Sequence, residues 1–301
     1  MTDTPIIDPH QHFWDLDRNY LPWLSDEPPI AFRYGDYSAL KRNYLPPDYR
    51  EDAAGFDVVA TVYVEAEWGP ADPIGETRWV AGLAEYYGLP SAIVAQAWLD
   101  RADAADVLAA QGAHPSVRGI RQKPAAAPTP NAARRGAPGS LDDARFRDGF
   151  SRLQALGLSY DLQTPWWHLD AAFDLASDFP AVQIILNHTG LPADRSEEGL
   201  RAWRRAMDHL ADAPNVALKI SGLGQPGKAW TTEANGPIVR DAISMFGVDR
   251  CMFASNFPVD GLCADFHDIF AGFMEITADR SDSDRRRLFH DNARRIYRLD
   301  R

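Results

Sequence analysis

Short apolar segments alternate with stretches of helical periodicity along most of the chain. Most of the apolar runs precede a segment whose hydrophobic residues are spaced three and four positions apart. This alternation is typical of β–α units that build a parallel sheet, and eight strands are enough to close a barrel. The runs comprise residues 6–7, 58–64, 92–97, 117–120, 158–162, 184–186, 216–220 and 251–254. We therefore expect an α/β fold, a single-domain (β/α)8 TIM barrel over residues 1–301.

Amphipathic segments lie between and after the predicted strands. Their hydrophobic residues fall on one face when the segment is drawn as a helix. Helices are predicted over residues 75–87, 142–156, 169–179, 197–211, 238–246 and 282–297.

Two segments lack this periodicity and are rich in proline. Residues 14–47 also contain many aromatic side chains, and residues 123–140 read KPAAAPTPNAARRGAPGS. We interpret both as loop insertions. The first is expected to cover the mouth of the barrel, where long loops often close over an active site. The second is either a similar lid or a solvated linker.

Composition excludes some classes of function but does not identify the activity. Hydrophobic residues make up 45% of the chain and charged residues 25%, which suits a folded soluble enzyme. The net charge of −12 argues against a nucleic-acid partner, because such partners require a basic face. We recognise no signal peptide and no apolar run of membrane length, so we expect a cytoplasmic protein without membrane association. The expected partner is a small-molecule substrate, and a homo-oligomer is compatible with the sequence.

The clearest chemical motif is the segment Asp8-Pro9-His10-Gln11-His12, which directly follows the first strand. Alternation along an extended chain puts His10 and His12 on the same side. The carboxyl ends of barrel strands meet at the mouth, where catalytic groups collect. Two imidazoles at that position are able to bind a divalent metal or to hold a substrate carbonyl oxygen. The alternative is a pair of structural histidines at a surface turn.

Polar residues also follow later strands. His188 ends the sixth strand before a glycine turn. As in the first strand, a histidine thus stands where a buried apolar strand ends. Asn256 and Asp260 follow the last strand. Asn256 is able to form hydrogen bonds but cannot act as a general base, because an amide does not take up a proton at neutral pH. Asp260 is a candidate base, although a helix cap or a loop salt bridge is the favoured role for it.

Further candidates follow the second, fourth and fifth strands. Glu65 and Gln163 are expected at the mouth, and Arg121 is expected to anchor a carboxylate or a ring oxygen of the substrate. Trp14 and Trp68 fall near strand ends and would form an aromatic wall for a ring-shaped substrate. Each of these residues would otherwise serve backbone hydrogen bonding or core packing.

These segments together resemble the amidohydrolase-2 branch of the amidohydrolase superfamily, in particular its sugar-lactonase and 2-pyrone-4,6-dicarboxylate lactonase group. The resemblance rests on IIDPHQHFWD, LPPDYRED, VYVEAEWGPADPIGETRWV, VRGIRQ, LGLSYDLQ, ILNHTGLP, NVALKISGL, CMFASNFPVD and LFHDNARRIYRLD. It implies a barrel hydrolase whose family histidines correspond to His10, His12 and His188. The residue after strand eight corresponds to Asn256, and in many family members it is an aspartate that activates water.

The resemblance implies opening of a cyclic ester, the lactone of a small sugar acid or carboxylated ring compound, by attack of water. Because Asn256 replaces the aspartate, the identity of the base is open, and the candidates are Asp260, Glu65 and a neutral histidine. A divalent metal, Zn²⁺ first, bound by His10, His12 and His188 is one alternative, and metal-free binding of the substrate by the same histidines is the other. A lactone isomerase, a decarboxylase and a non-catalytic binder of small carbohydrate acids remain alternative functions.

Overall fold

Eight parallel strands form one sheet in the order of the chain, as the alternating pattern predicts. The computed structural model describes residues 4–300. The strands are β1 (Ile6–Gln11), β2 (Val58–Val64), β3 (Ala92–Gln96), β4 (Val117–Arg121), β5 (Ser159–Leu162), β6 (Ile184–Leu186), β7 (Val216–Ile220) and β8 (Cys251–Phe253). All neighbours pair in parallel, with helices between them, so the (β/α)8 barrel predicted from the sequence is confirmed.

The barrel closes through the residues of the HxH segment. The backbone N–H of His12 donates to the carbonyl of Phe257 at 2.8 Å, and the N–H of Asn256 donates to the carbonyl of His10 at 2.8 Å. These bonds join the end of β1 to the segment after β8. Closure of the sheet therefore fixes the first and last polar segments of the mouth against each other.

Twelve α-helices are found in the described part of the chain. They are α1 (Pro22–Ser25), α2 (Pro46–Asp52), α3 (Pro73–Tyr87), α4 (Ala104–Gly112), α5 (Ala144–Ser151), α6 (Leu153–Leu156), α7 (Leu169–Asp178), α8 (Glu197–Ala211), α9 (Thr232–Phe246), α10 (Phe266–Ile276), α11 (Asp282–Arg286) and α12 (Asn292–Ile296). A π-helical stretch, Arg287–Asp291, joins the last two. Side-chain caps start several of them, among them Asp72 before α3 and Ser196 before α8.

The helix predictions differ from the structure mainly at helix ends. α9 begins six residues before the predicted start, because Thr231 caps it and Pro237 is accommodated inside the helix. The predicted helix over residues 142–156 divides into α5 and α6 at Arg152. Four helices, α1, α2, α4 and α10, were not predicted from the sequence.

Two hydrophobic cores hold the barrel together. The larger one fills the space between the strands and the surrounding helices. The smaller one lies inside the barrel, where Ile7, Val64, Ile185 and Met252 pack with Tyr297 from the C-terminal segment. Each strand thus contributes apolar side chains to one or both of its faces, as expected for a sheet covered by helices.

The two predicted insertions pack onto the barrel. The first contains α1 and a 3₁₀ turn, and it contributes Trp23 and residues 30–33 to the wall of the mouth. The second is anchored to a turn after β5, because Ala127 donates its N–H to His168 and accepts a bond from the Trp167 indole at 2.9 Å.

Candidate active site at the histidine-lined barrel mouth

A bulge in β1 brings the two histidines of the HxH segment to the mouth. The pairing of β1 with β2 shifts between Asp8 and Gln11, which re-aims the side chains that follow. The His10 and His12 ring centroids lie 5.0 Å apart, and the His188 centroid lies 4.6 Å from that of His10. The structure therefore brings the three histidines together: His10 lies near the end of β1, His12 directly follows that strand, and His188 lies in the turn after β6.

Asp8 lies below these histidines and connects strands. Its fully buried carboxylate accepts the Tyr49 hydroxyl at 2.8 Å, the Ser255 hydroxyl at 2.6 Å and the Ser255 N–H at 2.9 Å. Burial raises the pKa of Asp8, and the Ser255 bonds oppose this effect. We assign Asp8 to closure of the barrel, because its carboxylate is occupied by bonds from α2 and from the segment after β8.

His12 is held in one orientation by the backbone. Its Nδ1 lies 2.7 Å from the Val64 carbonyl oxygen, and its Nε2 lies 3.4 Å from Oδ1 of Asn256. Burial, followed by the charge of Arg121, holds the pKa of His12 well below its usual range. Because the ring is neutral and Nδ1 must donate to the carbonyl, Nε2 carries a lone pair that faces Asn256.

Asp260 fixes the neighbouring amide. Its carboxylate accepts Nδ2 of Asn256 at 2.6 Å, the Tyr34 hydroxyl at 2.8 Å, an Arg33 guanidinium N–H at 3.3 Å and the Gly222 N–H at 2.9 Å. Burial raises the pKa of Asp260, and Arg33 acts against that rise most strongly. With four donors around it, Asp260 supports Asn256 and does not face the cavity as a free base.

Asn256 occupies a strained backbone position, with φ at 57°. Since its Nδ2 donates to Asp260, its Oδ1 must point the other way, towards His12. Non-glycine residues in this region of φ often lie at functional sites, where the surrounding structure enforces them.

His188 shares this property, with φ at 55°. Its Nδ1 lies 3.0 Å from the Ser221 hydroxyl, and burial, with the charge of Arg33 second, lowers the pKa of the ring. Gly222 lies against this ring with φ at +65°. A Cβ there would come within 2.7 Å of the His188 Cβ and 3.1 Å of an Arg33 nitrogen, so only glycine fits.

His10 lies one layer deeper than the other two histidines. Lys219 lies 3.3 Å from its Nδ1, and among the described residues no group forms a hydrogen bond with its buried Nε2. Lys219 also forms an ion pair with Asp161, whose carboxylate accepts the Tyr297 hydroxyl at 3.0 Å. Burial lowers the pKa of Lys219 to about 8 against the opposing effect of Asp161. His10 is thus part of the floor beneath the cavity.

A cavity of about 330 Å³ opens above this floor. Its lining includes His12, His188 and Asn256, together with Arg33 and Trp23 from the first insertion. Arg33 and Trp23 were not predicted as site residues, because nothing in an aperiodic, proline-rich segment distinguishes them from surface residues. Their position is visible only once the insertion is seen to fold over the mouth.

Arg121 lines the cavity, but carboxylate and carbonyl groups already occupy its guanidinium. It forms a buried ion pair with Glu65 and donates to the Glu65 carbonyl, and it lies 3.4 Å from Oε1 of Gln163. The residues predicted to anchor substrate are therefore together at the mouth. The guanidinium N–H groups of Arg121, however, donate to neighbouring protein groups. Glu65 is likewise engaged, which leaves it poorly placed to act as a base.

The two tryptophans predicted as an aromatic wall lie in different environments. Trp14 is 1% exposed, its indole N–H donates to the Arg42 carbonyl at 2.7 Å, and it does not line the cavity. It packs behind His12, with ring centroids 6.5 Å apart. Trp68 lines a neighbouring cavity. Trp23 supplies the indole that faces the histidines.

The three histidines do not converge as a zinc site requires. Tetrahedral zinc at about 2.1 Å from nitrogen brings its ligand atoms within about 3.5 Å of each other. The side chains that commonly bind metals are those of His, Cys, Asp and Glu. Among the described residues, three of these side chains have ligand atoms within 4.8 Å of one another only at Asp265, His267 and Asp268. These exposed residues line neither cavity of the mouth. The three imidazoles therefore do not form a zinc site in this geometry.

An eight-stranded α/β barrel with a histidine pair at the end of β1 and a third histidine after β6 defines the class of barrel hydrolases that the sequence predicted. The sequence model of the amidohydrolase family matches residues 7–299, and the chain belongs to that family. The resemblance stated from the sequence is thus confirmed.

Three relatives illustrate the family relationship. The chain is 45% identical to the uncharacterized protein y4mH of Sinorhizobium fredii over 99% of this chain and 100% of that one. It is 29% identical to an L-fucono-1,5-lactonase of Burkholderia ambifaria over 98% of this chain and 96% of the lactonase. An amidohydrolase structure from Burkholderia multivorans with bound zinc aligns with a TM-score of 0.79 and 26% identity, covering 98% of this chain and 99% of that chain.

Within the described residues, none of the helices is both long and apolar enough to cross a membrane.

Proposed function

We propose that the protein hydrolyses a neutral sugar lactone, that is, a lactone without a further carboxylate group. His12 is the base that takes the proton from the attacking water. The observation that carries this proposal is a pair of hydrogen-bond acceptors that face each other at the mouth. Nε2 of His12 and Oδ1 of Asn256 lie 3.4 Å apart, and neither atom has a hydrogen to offer.

Two acceptors in contact need a donor that bridges them. A water molecule beside the gap donates one hydrogen to each atom and directs its lone pairs into the cavity. Val64 fixes the ring and Asp260 fixes the amide, so the seat for this water is preorganised. Asn256 thereby orients the water, while His12 supplies the basic lone pair that an asparagine lacks.

The carbonyl of the substrate would lie towards Arg33 and His188. The Arg33 guanidinium and the His188 ring meet over Gly222, and both line the cavity. An oxygen that gains negative charge there is stabilised by the guanidinium and by the imidazole N–H, since such donors act strongly where water is excluded.

The reaction proceeds in two steps. The water oxygen bonds to the lactone carbonyl carbon while its proton moves to Nε2 of His12, and the carbonyl electrons form an oxyanion beside Arg33. Collapse of this intermediate breaks the bond to the ring oxygen, and His12 returns the proton to that oxygen. The product is the open-chain hydroxy acid, and the base is regenerated.

The charges at the mouth favour a neutral substrate over a carboxylated one. Arg121 is paired with Glu65, Lys123 lies 2.8 Å from Glu67, and Arg33 contacts Asp260. Because each cation has a carboxylate partner, a substrate carboxylate would meet no surplus of positive charge. The lactonase name of the Burkholderia ambifaria relative supports a neutral sugar lactone as the substrate.

Acid release from a panel of sugar 1,5-lactones, including L-fucono-1,5-lactone, tests this proposal with a pH indicator. We expect hydrolysis of at least one lactone and a roughly 10²- to 10⁴-fold lower kcat for His12→Gln, the usual contribution of a general base. His209→Gln, on the exposed face of α8, is the matched control. Absence of acid release with every lactone, or an active His12→Gln variant, would contradict the proposal.

A further inference from the structure

A second cavity of about 340 Å³ adjoins the one above the histidines. The two cavities share Trp23, Ile30, Glu67, Arg121 and Lys123 in their linings, so they are neighbouring compartments of one mouth. We call the second cavity the annex. The reaction described above uses only the first compartment, which leaves the annex without a role.

Three indoles line the annex. Trp23, Trp68 and Trp98 are each partly exposed, so part of each ring is open to a ligand in the annex. Trp68 is supported from behind by Trp79, at a centroid distance of 6.1 Å, and Trp98 is supported by Arg101 at 5.3 Å. Rings that are backed on one face and open to a cavity on the other are suited to stack against a flat or ring-shaped ligand.

An unpaired acceptor also points to a polar ligand. Gln96 lines the annex, is 4% exposed, and its Nε2 lies 3.4 Å from a Glu65 oxygen. Its Oε1 is buried and has no hydrogen-bond partner within the part of the chain that the structure describes. A buried acceptor without a donor is costly, and a ligand hydroxyl group would satisfy it.

The boundary between the compartments is weak. It includes the ion pair of Glu67 after β2 with Lys123 after β4, whose side chains are 41% and 36% exposed. Exposed pairs of this kind contribute little to stability, so a ligand is able to displace these side chains. Glu67 also has φ at 60°, which marks a strained turn at this boundary.

We propose that the substrate is a disaccharide lactone, in which the lactone ring occupies the histidine compartment and a second, neutral sugar ring occupies the annex. Indoles bind the apolar faces of a sugar, and the Gln96 carbonyl accepts one of its hydroxyl groups. The paired charges of the lining suit an uncharged ring. This inference rests on the proposed lactone hydrolysis and extends it to the part of the substrate that does not react.

The test compares matched lactones that differ only by a second sugar. D-Glucono-1,5-lactone is paired with cellobiono-1,5-lactone and lactobiono-1,5-lactone, which carry a glucosyl or galactosyl group on the same lactone ring. We expect a kcat/KM at least tenfold higher for one disaccharide lactone than for the monosaccharide lactone. Trp98→Ala should reduce this ratio roughly tenfold, the contribution of a well-stacked ring.

Trp166→Ala is the control, since Trp166 is partly exposed but lines neither cavity. Because the readout is a ratio measured on one protein sample, partial unfolding of a variant does not imitate the effect. Hydrolysis of the monosaccharide lactone without any gain from the second sugar would overturn the annex proposal and leave lactone hydrolysis intact. Absence of hydrolysis with all these lactones and with the sugar lactone panel would overturn both.

Discussion

Replacing Asn256 by aspartate tests the hydrogen-bond polarity on which the account depends. In the native protein, Nδ2 of Asn256 donates to Oδ1 of Asp260 at 2.6 Å. The substitution Asn256→Asp puts a second carboxylate oxygen in the place of that donor. Both carboxyl groups are buried, so the repulsion between them cannot be relieved by solvent.

The expected magnitude follows from this distance. Two unit charges 2.6 Å apart repel by about 6 kcal/mol at an effective dielectric constant of 20. Holding a proton on an aspartate at pH 7 requires only about 4 kcal/mol, since each pKa unit corresponds to 1.36 kcal/mol. The two carboxyl groups should therefore share one proton in the folded protein at neutral pH.

The sign of the stability change follows from proton binding. The carboxyl group introduced in Asn256→Asp has a raised pKa in the folded state and an ordinary one near 3.9 in the unfolded state, so the folded state holds the extra proton. Relative to the native protein, the free energy of unfolding should fall by about 1.4 kcal/mol per pH unit from pH 5 upwards. Urea unfolding of both proteins at pH 5, 6, 7 and 8 measures this slope.

Asn43→Asp is a matched control, because Asn43 donates to Asp17 at 2.8 Å on the exposed surface. Solvent screening should make its pH dependence much smaller. A flat difference between Asn256→Asp and the native protein over this pH range would mean that the amide does not donate to Asp260. The facing acceptors, and with them the seat for water, would then be refuted.

Three further predictions follow from the site. Because the histidines do not converge on a metal, chelation and dialysis should leave lactone hydrolysis unchanged, and a loss that added zinc restores would contradict the account. Because burial and the charge of Arg121 lower the pKa of His12, its neutral, basic form should persist at mildly acidic pH. The value of kcat/KM should therefore stay constant from pH 8 to pH 6. A decrease of kcat/KM with a midpoint near pH 6.5 would argue against His12 as the base. Glu65→Gln leaves the buried Arg121 without its ion-pair partner and should lower the free energy of unfolding, measured in urea, by about 3–5 kcal/mol. Glu197→Gln removes one partner of an exposed ion pair on α8 and should have little effect. Equal effects of the two substitutions would contradict the burial argument.

The sequence was sufficient for the fold and for the grouping of the histidines. Eight apolar runs recur along the chain, most of them followed by an amphipathic segment, and the carboxyl ends of parallel strands necessarily meet at one mouth. His10, His12 and His188 were therefore predicted near each other without any tertiary information. The helices that were missed are short or begin at caps and prolines, where local pattern is a weak signal.

The roles of individual polar residues were less predictable, because they depend on partners distant in the chain. Asp260 accepts hydrogen bonds from four donors, two of which belong to the first insertion. Its role in holding Asn256 is therefore not visible in a local sequence pattern. The engagement of Arg121 by Glu65 crosses from β4 to the end of β2. Arg33 and Trp23 belong to an aperiodic segment, and only its packing over the barrel brings them to the cavity.

The source of the oxygen in the product tests the central claim most directly. Hydrolysis of a sugar 1,5-lactone in ¹⁸O-labelled water, followed by mass spectrometry of the acid, distinguishes attack by water from isomerisation or decarboxylation. The account predicts one ¹⁸O atom in the carboxylate of each product molecule formed, and a strongly reduced rate of labelling with His12→Gln. Turnover that yields an unlabelled product would contradict water attack and, with it, the role assigned to His12 and Asn256.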